Sequence, residues 1–147
     1  MSRRVMSAVE ARLQADAGIS SADLEILAAL DKSPGGTARA KDLGEMLSWE
    51  KSRISHQVTR MVDRGLLQRT ECDQDLRGSW VQQTTAGRDA LALALPHYGA
   101  AVREVYLNHL GDGQASSLAL TALQVVAAST PDACRAETDE IGKALAP

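Results

Sequence analysis

The chain has 147 residues, a length that suits one domain with its own hydrophobic core. Hydrophobic residues make up 44% of the sequence but aromatic residues only 3%, so the core must be aliphatic, which favours helices. The formal net charge of −3 excludes the strongly basic surface of a protein that coats nucleic acid, so any DNA contact must come from positioned side chains.

Two helices are predicted before the first strong helix breakers. Apolar residues spaced four apart predict an amphipathic helix over residues 3–16. Ser20 or Ser21 then caps a second helix, because either hydroxyl can accept a hydrogen bond from a free amide of the first turn. The breakers Ser-Pro-Gly-Gly at residues 33–36 form the loop that follows.

The next two helices are short and are separated by a tight turn. The third is expected over residues 38–47 and the fourth over residues 49–64, with Gly65 as its end. The third helix should bury its large apolar side chains, Leu43, Met46 and Leu47. Two short helices joined in this way predict a helix-turn-helix.

The predicted fourth helix has two contrasting faces. One face is apolar and suits the core: Ile54, Val58, Met61 and Val62. The other face carries our candidates for DNA contact: Lys51, Ser52, Arg53, Ser55, His56 and Arg60. Arg53 has the shape to chelate a guanine edge, and His56 can bond a base or a phosphate. Any surface helix has a charged face, but this one follows a tight turn and concentrates such groups in its first two turns.

Trp49 is the largest apolar residue near this turn. Stacking on DNA is one interpretation. We favour the other, in which the indole packs between the third and fourth helices as a hydrophobic plug.

A hairpin is predicted after the fourth helix. Residues 66–72 and 80–83 have β-like patterns, and the polar segment 73–78 closes with a glycine that suits a hairpin loop. We expect Arg77 at the loop apex to enter a minor groove, where the negative potential is enhanced. Asp75 can hold Arg77, or Arg69 on the strand, through paired hydrogen bonds. The alternative is an exposed turn whose charges serve solubility.

The hairpin loop is not a calcium site. Its acidic opening resembles a calcium-binding loop, but position five is Arg77 and position twelve is Thr84, where oxygen-rich acidic ligands are required. Cys72 and Cys134 have no metal-ligand spacing. We interpret both as structural; the alternative is a redox role, in which oxidation of Cys72 at the base of the hairpin would disturb DNA contact. The three histidines lie far apart in sequence and no nucleophile motif appears, so the chain is not expected to be an enzyme.

The remainder of the chain is predicted to be helical. Thr84 caps a long helix over residues 85–110, which Pro96 should bend. His97 and Tyr98 follow the proline and are candidate effector ligands, although a half-buried pair at a kink is commoner. No apolar run approaches the roughly 20 residues of a membrane span, so we expect no membrane contact and a cytoplasmic location.

Three motifs occur together around the hairpin. They are Arg64-Gly65-Leu66-Leu67-Gln68-Arg69, Asp75-Leu76-Arg77 and Gln83-Thr84-Thr85-Ala86-Gly87. With the run from Trp49 to Arg53, they resemble the MarR family (multiple antibiotic resistance regulators), dimeric winged-helix transcription factors of bacteria and archaea. Gln83 takes the place of the family's usual leucine.

The resemblance implies a mainly α fold within a single domain, residues 1–147. A winged helix-turn-helix DNA-binding core would span residues 20–88, with the small β-hairpin as its wing. Helices over residues 1–17 and 89–147 would form the dimer interface.

The resemblance also implies a function: a homodimer that binds a pseudo-palindromic double-stranded DNA operator, represses transcription and responds to a small aromatic effector, with no cofactor. Four residues would face the major groove: Ser52, Arg53, Ser55 and His56. Arg77 would enter the minor groove, and Arg39 and Lys41 would approach phosphates. The alternative is a winged helix that contacts proteins without reading DNA sequence.

Overall fold

A computed structural model describes residues 2–70, 80–111 and 113–129. In these ranges helices predominate and three short strands form one antiparallel sheet. The chain divides into two compact units, the first ending at Val102 and the second beginning at Arg103. In chain order the elements are α1 Ser2–Ala17, α2 Ser21–Asp31, a 3-10 turn Pro34–Gly36, β1 Thr37–Arg39, α3 Ala40–Leu47, α4 Lys51–Asp63, β2 Leu67–Thr70, β3 Trp80–Gln83, α5 Thr85–Val105, a 3-10 turn Leu107–His109 and α6 Gln114–Ser129.

The predicted mainly α fold, with a helix-turn-helix and a small antiparallel sheet, is confirmed. The strand order is β1-β3-β2, and Val81 at the centre pairs with Ala38 on one side and Arg69 on the other. The sequence pattern does not predict β1, because three residues are too few to show alternation and their extended form depends on pairing with β3. For the same reason α3 begins at Ala40, two residues later than expected.

The core of the first unit is aliphatic, as the composition predicts. Its largest fully buried hydrophobic side chains come from α1 to α4 and β2: Leu13, Ile26, Leu27, Leu30, Leu43, Ile54, Met61 and Leu67. The prediction that Met46 is buried is wrong, since its side chain is 45% exposed. The two-turn helix α3 directs Leu43 and, one turn later, Leu47 towards the core, which leaves Met46 at the edge.

The predicted start of α2 and the predicted end of α4 are confirmed by their hydrogen bonds. The Asp23 N–H donates to Ser20 Oγ at 3.1 Å, so Ser20 is the cap of α2. Gly65 has a φ of 73° just past α4, where the Leu66 N–H donates to the Met61 carbonyl at 2.9 Å. α5 ends at Val105, earlier than expected, and a 3-10 turn follows it.

Gly87 sets the distance between the first turn of α5 and the exit of α4. A Cβ atom at this position would collide with the carbonyl oxygen of Leu66 and would lie 3.2 Å from Leu27 Cδ2. Thr84 fixes the same junction, because its Oγ1 donates to the Gly65 carbonyl at 2.7 Å and accepts from the Gly87 N–H at 3.0 Å. Only glycine therefore lets α5 start this close to the sheet.

None of the helices in the described ranges combines the length and the apolar character that crossing a membrane requires. In those same ranges, no group of three or more His, Cys, Asp or Glu side chains is placed to hold a metal ion.

Candidate nucleic-acid interface

The turn between α3 and α4 is held tightly by backbone contacts. Ser48 adopts the left-handed conformation, with a φ of 54°, and the Trp49 N–H donates to the Gly44 carbonyl at 2.9 Å. A Cβ on Gly44 would lie only 3.2 Å from the Trp49 carbonyl oxygen, so glycine permits this close return. The turn thereby fixes where α4 begins.

The two faces predicted for α4 are present. Ile54, Val58 and Met61 are buried in the core. The side chains on the opposite face are exposed: Lys51, Ser52, Arg53, Ser55, His56 and Arg60. The structure thus brings six sequence-predicted residues together on one accessible helical surface.

The first amides of α4 are not capped by a side chain, although the carboxylate of Glu50 beside them is itself negative. The N-cap residue of α4, Glu50, makes no side-chain capping hydrogen bond, and the first turn of the helix contains no acidic residue. The first-turn amides of a helix lack intrahelical partners and carry partial positive charge, which favours a phosphate oxygen.

A buried carboxylate holds α4 against α2. Asp23 is 1% exposed, and its Oδ2 accepts a 2.7 Å hydrogen bond from Arg64 Nη1 just past the end of α4. Gln57 Nε2, on α4 itself, donates to Asp23 Oδ1 at 2.6 Å. The Ser20 N–H donates to the same carboxylate at 2.9 Å and completes a capping box. Every oxygen of this buried charge is therefore hydrogen-bonded.

The pKa of Asp23 reflects these contacts. Burial alone would raise it, but the hydrogen bonds from the Ser20 amide, the Arg64 guanidinium and the Ser20 hydroxyl, together with the charge of Arg64, outweigh burial. The pKa therefore lies below the ordinary value of an aspartate, and the group is ionised at neutral pH. The ion pair is thus fully formed at neutral pH.

Arg64 makes a second contact that involves α1. Its Nη2 donates to the Gly18 carbonyl at 2.9 Å, in the turn between α1 and α2. Sequence reasoning missed Asp23, Gln57 and Arg64, although the Ser20-x-x-Asp23 spacing is a capping-box signal that would have found the first of them.

Trp49 is partly buried and packs against the core, which confirms the packing interpretation. Its indole also has a second role in the interface. The guanidinium carbon of Arg53 lies 3.6 Å from the centre of the Trp49 ring, a cation–π contact between residues four apart. Arg53, which was predicted to reach a base edge, therefore contacts Trp49, which was predicted to pack between the third and fourth helices.

Arg39 and Lys41, predicted to approach phosphates, lie at the start of α3. Arg39 lies over Trp80 of β3, with 5.0 Å between its guanidinium carbon and the ring centre. Lys41 Nζ lies 3.4 Å from Glu45 Oε1, and both side chains are largely exposed. Such an exposed pair contributes little to stability, so Lys41 can exchange its partner for a phosphate at small cost.

A groove of about 850 Å³ lies beside α4. Ile54 and Val58 are buried side chains that contribute its apolar lining. Its charged residues are four basic and two acidic side chains: Arg39, Lys41, Lys51, Arg69, Glu45 and Glu50. The excess of cations suits the backbone of a nucleic acid that lies along α4.

The predicted hairpin tip, with Asp75 and Arg77, lies outside the described residues, as do Cys72 and Cys134. The strands at its base are described, and Arg69 on β2 donates to Thr59 Oγ1 of α4 at 3.0 Å. This contact ties the base of the hairpin to α4, the helix that carries the exposed face.

His97 and Tyr98 lie away from this groove. Neither residue lines it. His97 Nδ1 lies 3.9 Å from Asp16 Oδ2 of α1, and Tyr98 packs against the core cluster of the first unit. The structure places both residues on α5, and neither shares the groove with the candidate residues that are described there.

The chain is similar to several bacterial regulators of known structure. AbsC, a MarR family transcriptional regulator of Streptomyces coelicolor, is 33% identical, with 87% of this chain and 85% of AbsC covered and a TM-score of 0.74. A second MarR family regulator of that organism, solved in complex with DNA, is 27% identical, with 89% and 82% covered and a TM-score of 0.77.

An organohalide-sensing transcriptional regulator, solved in its 2,4-dichlorophenol-bound form, shares the fold. It is 17% identical, with 88% of this chain and 75% of that chain covered and a TM-score of 0.76. The comparison with curated proteins gives no match.

The sequence model of the MarR family matches residues 17–78, which include α2, the helix-turn-helix and β2. AbsC extends the likeness over most of both chains, at 33% identity. The chain belongs to the MarR family of transcriptional regulators.

Proposed function

We propose that the protein is a sequence-specific DNA-binding repressor that acts as a homodimer on a pseudo-palindromic operator. The observation that carries this proposal is the exposed face of α4, which presents Arg53 and His56 in its first two turns beside a groove with excess positive charge. A helix of this kind inserts into the major groove, where arginine chelates guanine edges. The relative solved in complex with DNA has the same fold.

In this proposal the side chains divide between bases and backbone. Ser52, Arg53, Ser55 and His56 face the bases and the adjacent phosphates. Phosphate contacts come from Arg39, Lys41, Lys51 and Arg60, with Asp75 and Arg77 acting at the wing. Contacts to phosphates set affinity and register, whereas contacts to base edges set specificity.

The first test is binding of the protein to DNA from beside its own gene, measured by fluorescence anisotropy at several salt concentrations. Wild type should bind one upstream intergenic fragment at least about 10³-fold more tightly than random DNA. Arg77→Ala should weaken binding and reduce the salt dependence by about one released counterion. Lys32→Ala, which removes an exposed cation just past the end of α2, is the matched control and should bind as wild type does.

Failure of wild type to prefer any upstream fragment over random DNA would overturn the repressor proposal. It would favour the alternative, a winged helix that contacts proteins. Equal losses for Arg77→Ala and Lys32→Ala would instead remove the wing arginine from the interface.

Self-association is supported by exposed aliphatic side chains in each unit. The first unit exposes Met6, Leu93 and Leu95, with the two leucines 51% exposed, and the second exposes Leu118, Leu120 and Val125. Such side chains favour an interface over solvent. Sedimentation equilibrium should give about twice the 15.6 kDa of one chain, and Leu93→Glu should lower that mass and weaken operator binding. A monomeric wild type that binds a full operator would contradict the dimer.

Release by a small aromatic effector is the last part of the proposal. His97 and Tyr98 on α5 are its candidate ligands, and both are only partly exposed. Phenols and aromatic acids titrated into the protein–operator complex should reduce anisotropy for at least one compound, and His97→Ala should weaken that response. A compound that acts equally on both proteins would rule out His97.

A further inference from the structure

Both tryptophans of the chain lie beneath an arginine that the proposed function assigns to DNA. Trp80 lies beneath Arg39 with 5.0 Å between guanidinium carbon and ring centre, and Trp49 lies beneath Arg53 with 3.6 Å. A separation of 3.6 Å is the contact thickness of two flat groups, so Arg53 is stacked on its ring and Arg39 is only near its own.

The Trp49 indole is a fixed platform. Its backbone is held by the hydrogen bond from its N–H to the Gly44 carbonyl, and the left-handed Ser48 precedes it. Its ring packs against the core cluster on one side and also lines the groove beside α4. A side chain anchored at backbone and ring moves little when DNA binds.

The Arg53 side chain is exposed. In residues 2–70, 80–111 and 113–129 it forms no ion pair with a carboxylate, and the indole is the group that it contacts. Stacking uses the face of the guanidinium and leaves its N–H groups, which lie in its plane, available for a bidentate contact. An exposed arginine without such a contact samples many rotamers and loses that freedom on binding a base.

We propose that Trp49 is a specificity-determining positioning residue, whose indole holds the Arg53 guanidinium in the conformation that reads one base pair of the operator. The inference rests on the proposed function, and it assigns to Trp49 a role beyond packing. The competing account is that Trp49 only fills the space between α3 and α4.

The two accounts predict different changes in DNA binding. If Trp49 only packs, Trp49→Leu lowers the melting temperature and weakens binding to every DNA sequence by the same factor. If it positions Arg53, Trp49→Leu weakens operator binding by about 3- to 10-fold, the range of a partly desolvated cation–π contact. It also reduces discrimination at the base pair where Arg53→Ala does. Trp49→Phe, which keeps an aromatic face, should recover part of both.

A double-mutant cycle gives the decisive measurement. Dissociation constants are compared for wild type, Trp49→Leu, Arg53→Ala and the double variant, on the operator and on its single-base-pair variants. Once Arg53 is absent, Trp49→Leu should add less than about 2-fold on the operator. Independent, multiplicative losses, or a uniform loss on all sequences, would overturn the inference.

A measurement without DNA separates this inference from the proposed function. Trp80→Phe leaves Trp49 as the single indole of the chain, so its fluorescence reports directly on the stack. Adding Arg53→Ala should shift or brighten that emission, whereas the neighbouring Ser52→Ala should leave it unchanged. Unchanged emission on loss of Arg53 would overturn the stack itself. Altered emission in a protein that binds no operator would instead overturn the DNA role and leave the contact as packing.

Discussion

The Arg64 guanidinium donates a 2.7 Å hydrogen bond to the Asp23 carboxylate, joining the end of α4 to the first turn of α2. Asp23 is almost fully buried, whereas the Arg64 side chain is 40% exposed. Removal of Arg64 is therefore not equivalent to removal of Asp23. Without Arg64 the Asp23 charge would stay buried away from solvent, whereas without Asp23 the Arg64 charge would remain partly exposed to it.

Arg64→Ala should lower the free energy of unfolding by about 3 kcal/mol, since it leaves the buried carboxylate without its counter-charge. Urea denaturation followed by circular dichroism measures this change. Arg60→Ala removes an exposed arginine from the same helix and serves as the control, with stability expected to match wild type. Comparable losses for both variants would show that the ion pair is not what stabilises α4.

Acidification should destabilise the protein through Asp23. Its pKa in the folded state is depressed, so its contribution to stability is complete above the unfolded value of about 3.9 and is lost as pH falls through the lower folded value. Asp23→Asn removes this titration, so its free energy of unfolding should change less between pH 5 and acidic pH. Unfolding measured along that pH series compares the two proteins, and parallel curves would contradict the assignment.

Two glycines of α5 should respond in opposite directions to alanine. Gly87→Ala places a methyl group against the Leu66 carbonyl and should cost several kcal/mol or prevent folding. Gly99→Ala meets nothing within 4 Å and should stabilise the protein by up to about 1 kcal/mol through helix propensity. Melting temperatures of both variants test the pair, and a tolerated Gly87→Ala would disprove the close approach.

Gln83→Leu should stabilise the protein by about 1 kcal/mol. Gln83 is 2% exposed, and neither its Oε1 nor its Nε2 has a hydrogen-bond partner among the described residues. The neighbouring Gln82 accepts a 2.7 Å hydrogen bond from Gln68 across the sheet, so Gln82→Leu should give no such gain. If thermal unfolding shows no gain for Gln83→Leu, the amide must be satisfied in solution.

Local patterns account for what the sequence predicts correctly. Each of these patterns lies within about one helical turn of the feature that it determines. The breakers at residues 33–36 determine a loop, the glycine at 65 determines the end of α4, and the periodicity of α4 determines its two faces. Pairing between distant segments accounts for the rest: β1 needs β3, and the Arg64–Asp23 bond joins residues 41 apart.

In the candidate site, too, the features that the sequence predicts correctly come from local patterns. The exposed face of α4 follows from helical periodicity alone, and the structure confirms it. The stack of Arg53 on Trp49 also had a local signal, since the two residues are four apart, the spacing at which helical side chains meet. That signal was obscured because Trp49 precedes the helix, where the spacing rule ceases to be dependable.

The two acceptors of Arg64 determine the rotation of α4 about its own axis as well as its position. A single contact at the end of a helix would act as a pivot. The Arg64 guanidinium makes two contacts: Nη1 lies 2.7 Å from the Asp23 carboxylate and Nη2 lies 2.9 Å from the Gly18 carbonyl. Because both nitrogens belong to one planar group, the two contacts together resist rotation of α4 about its axis. Successive helical residues lie about 100° apart, so a rotation of that size would replace one presented row of side chains with the next. In the proposed mode of DNA binding, the register of α4 against the bases is therefore determined partly at the joint between α1 and α2.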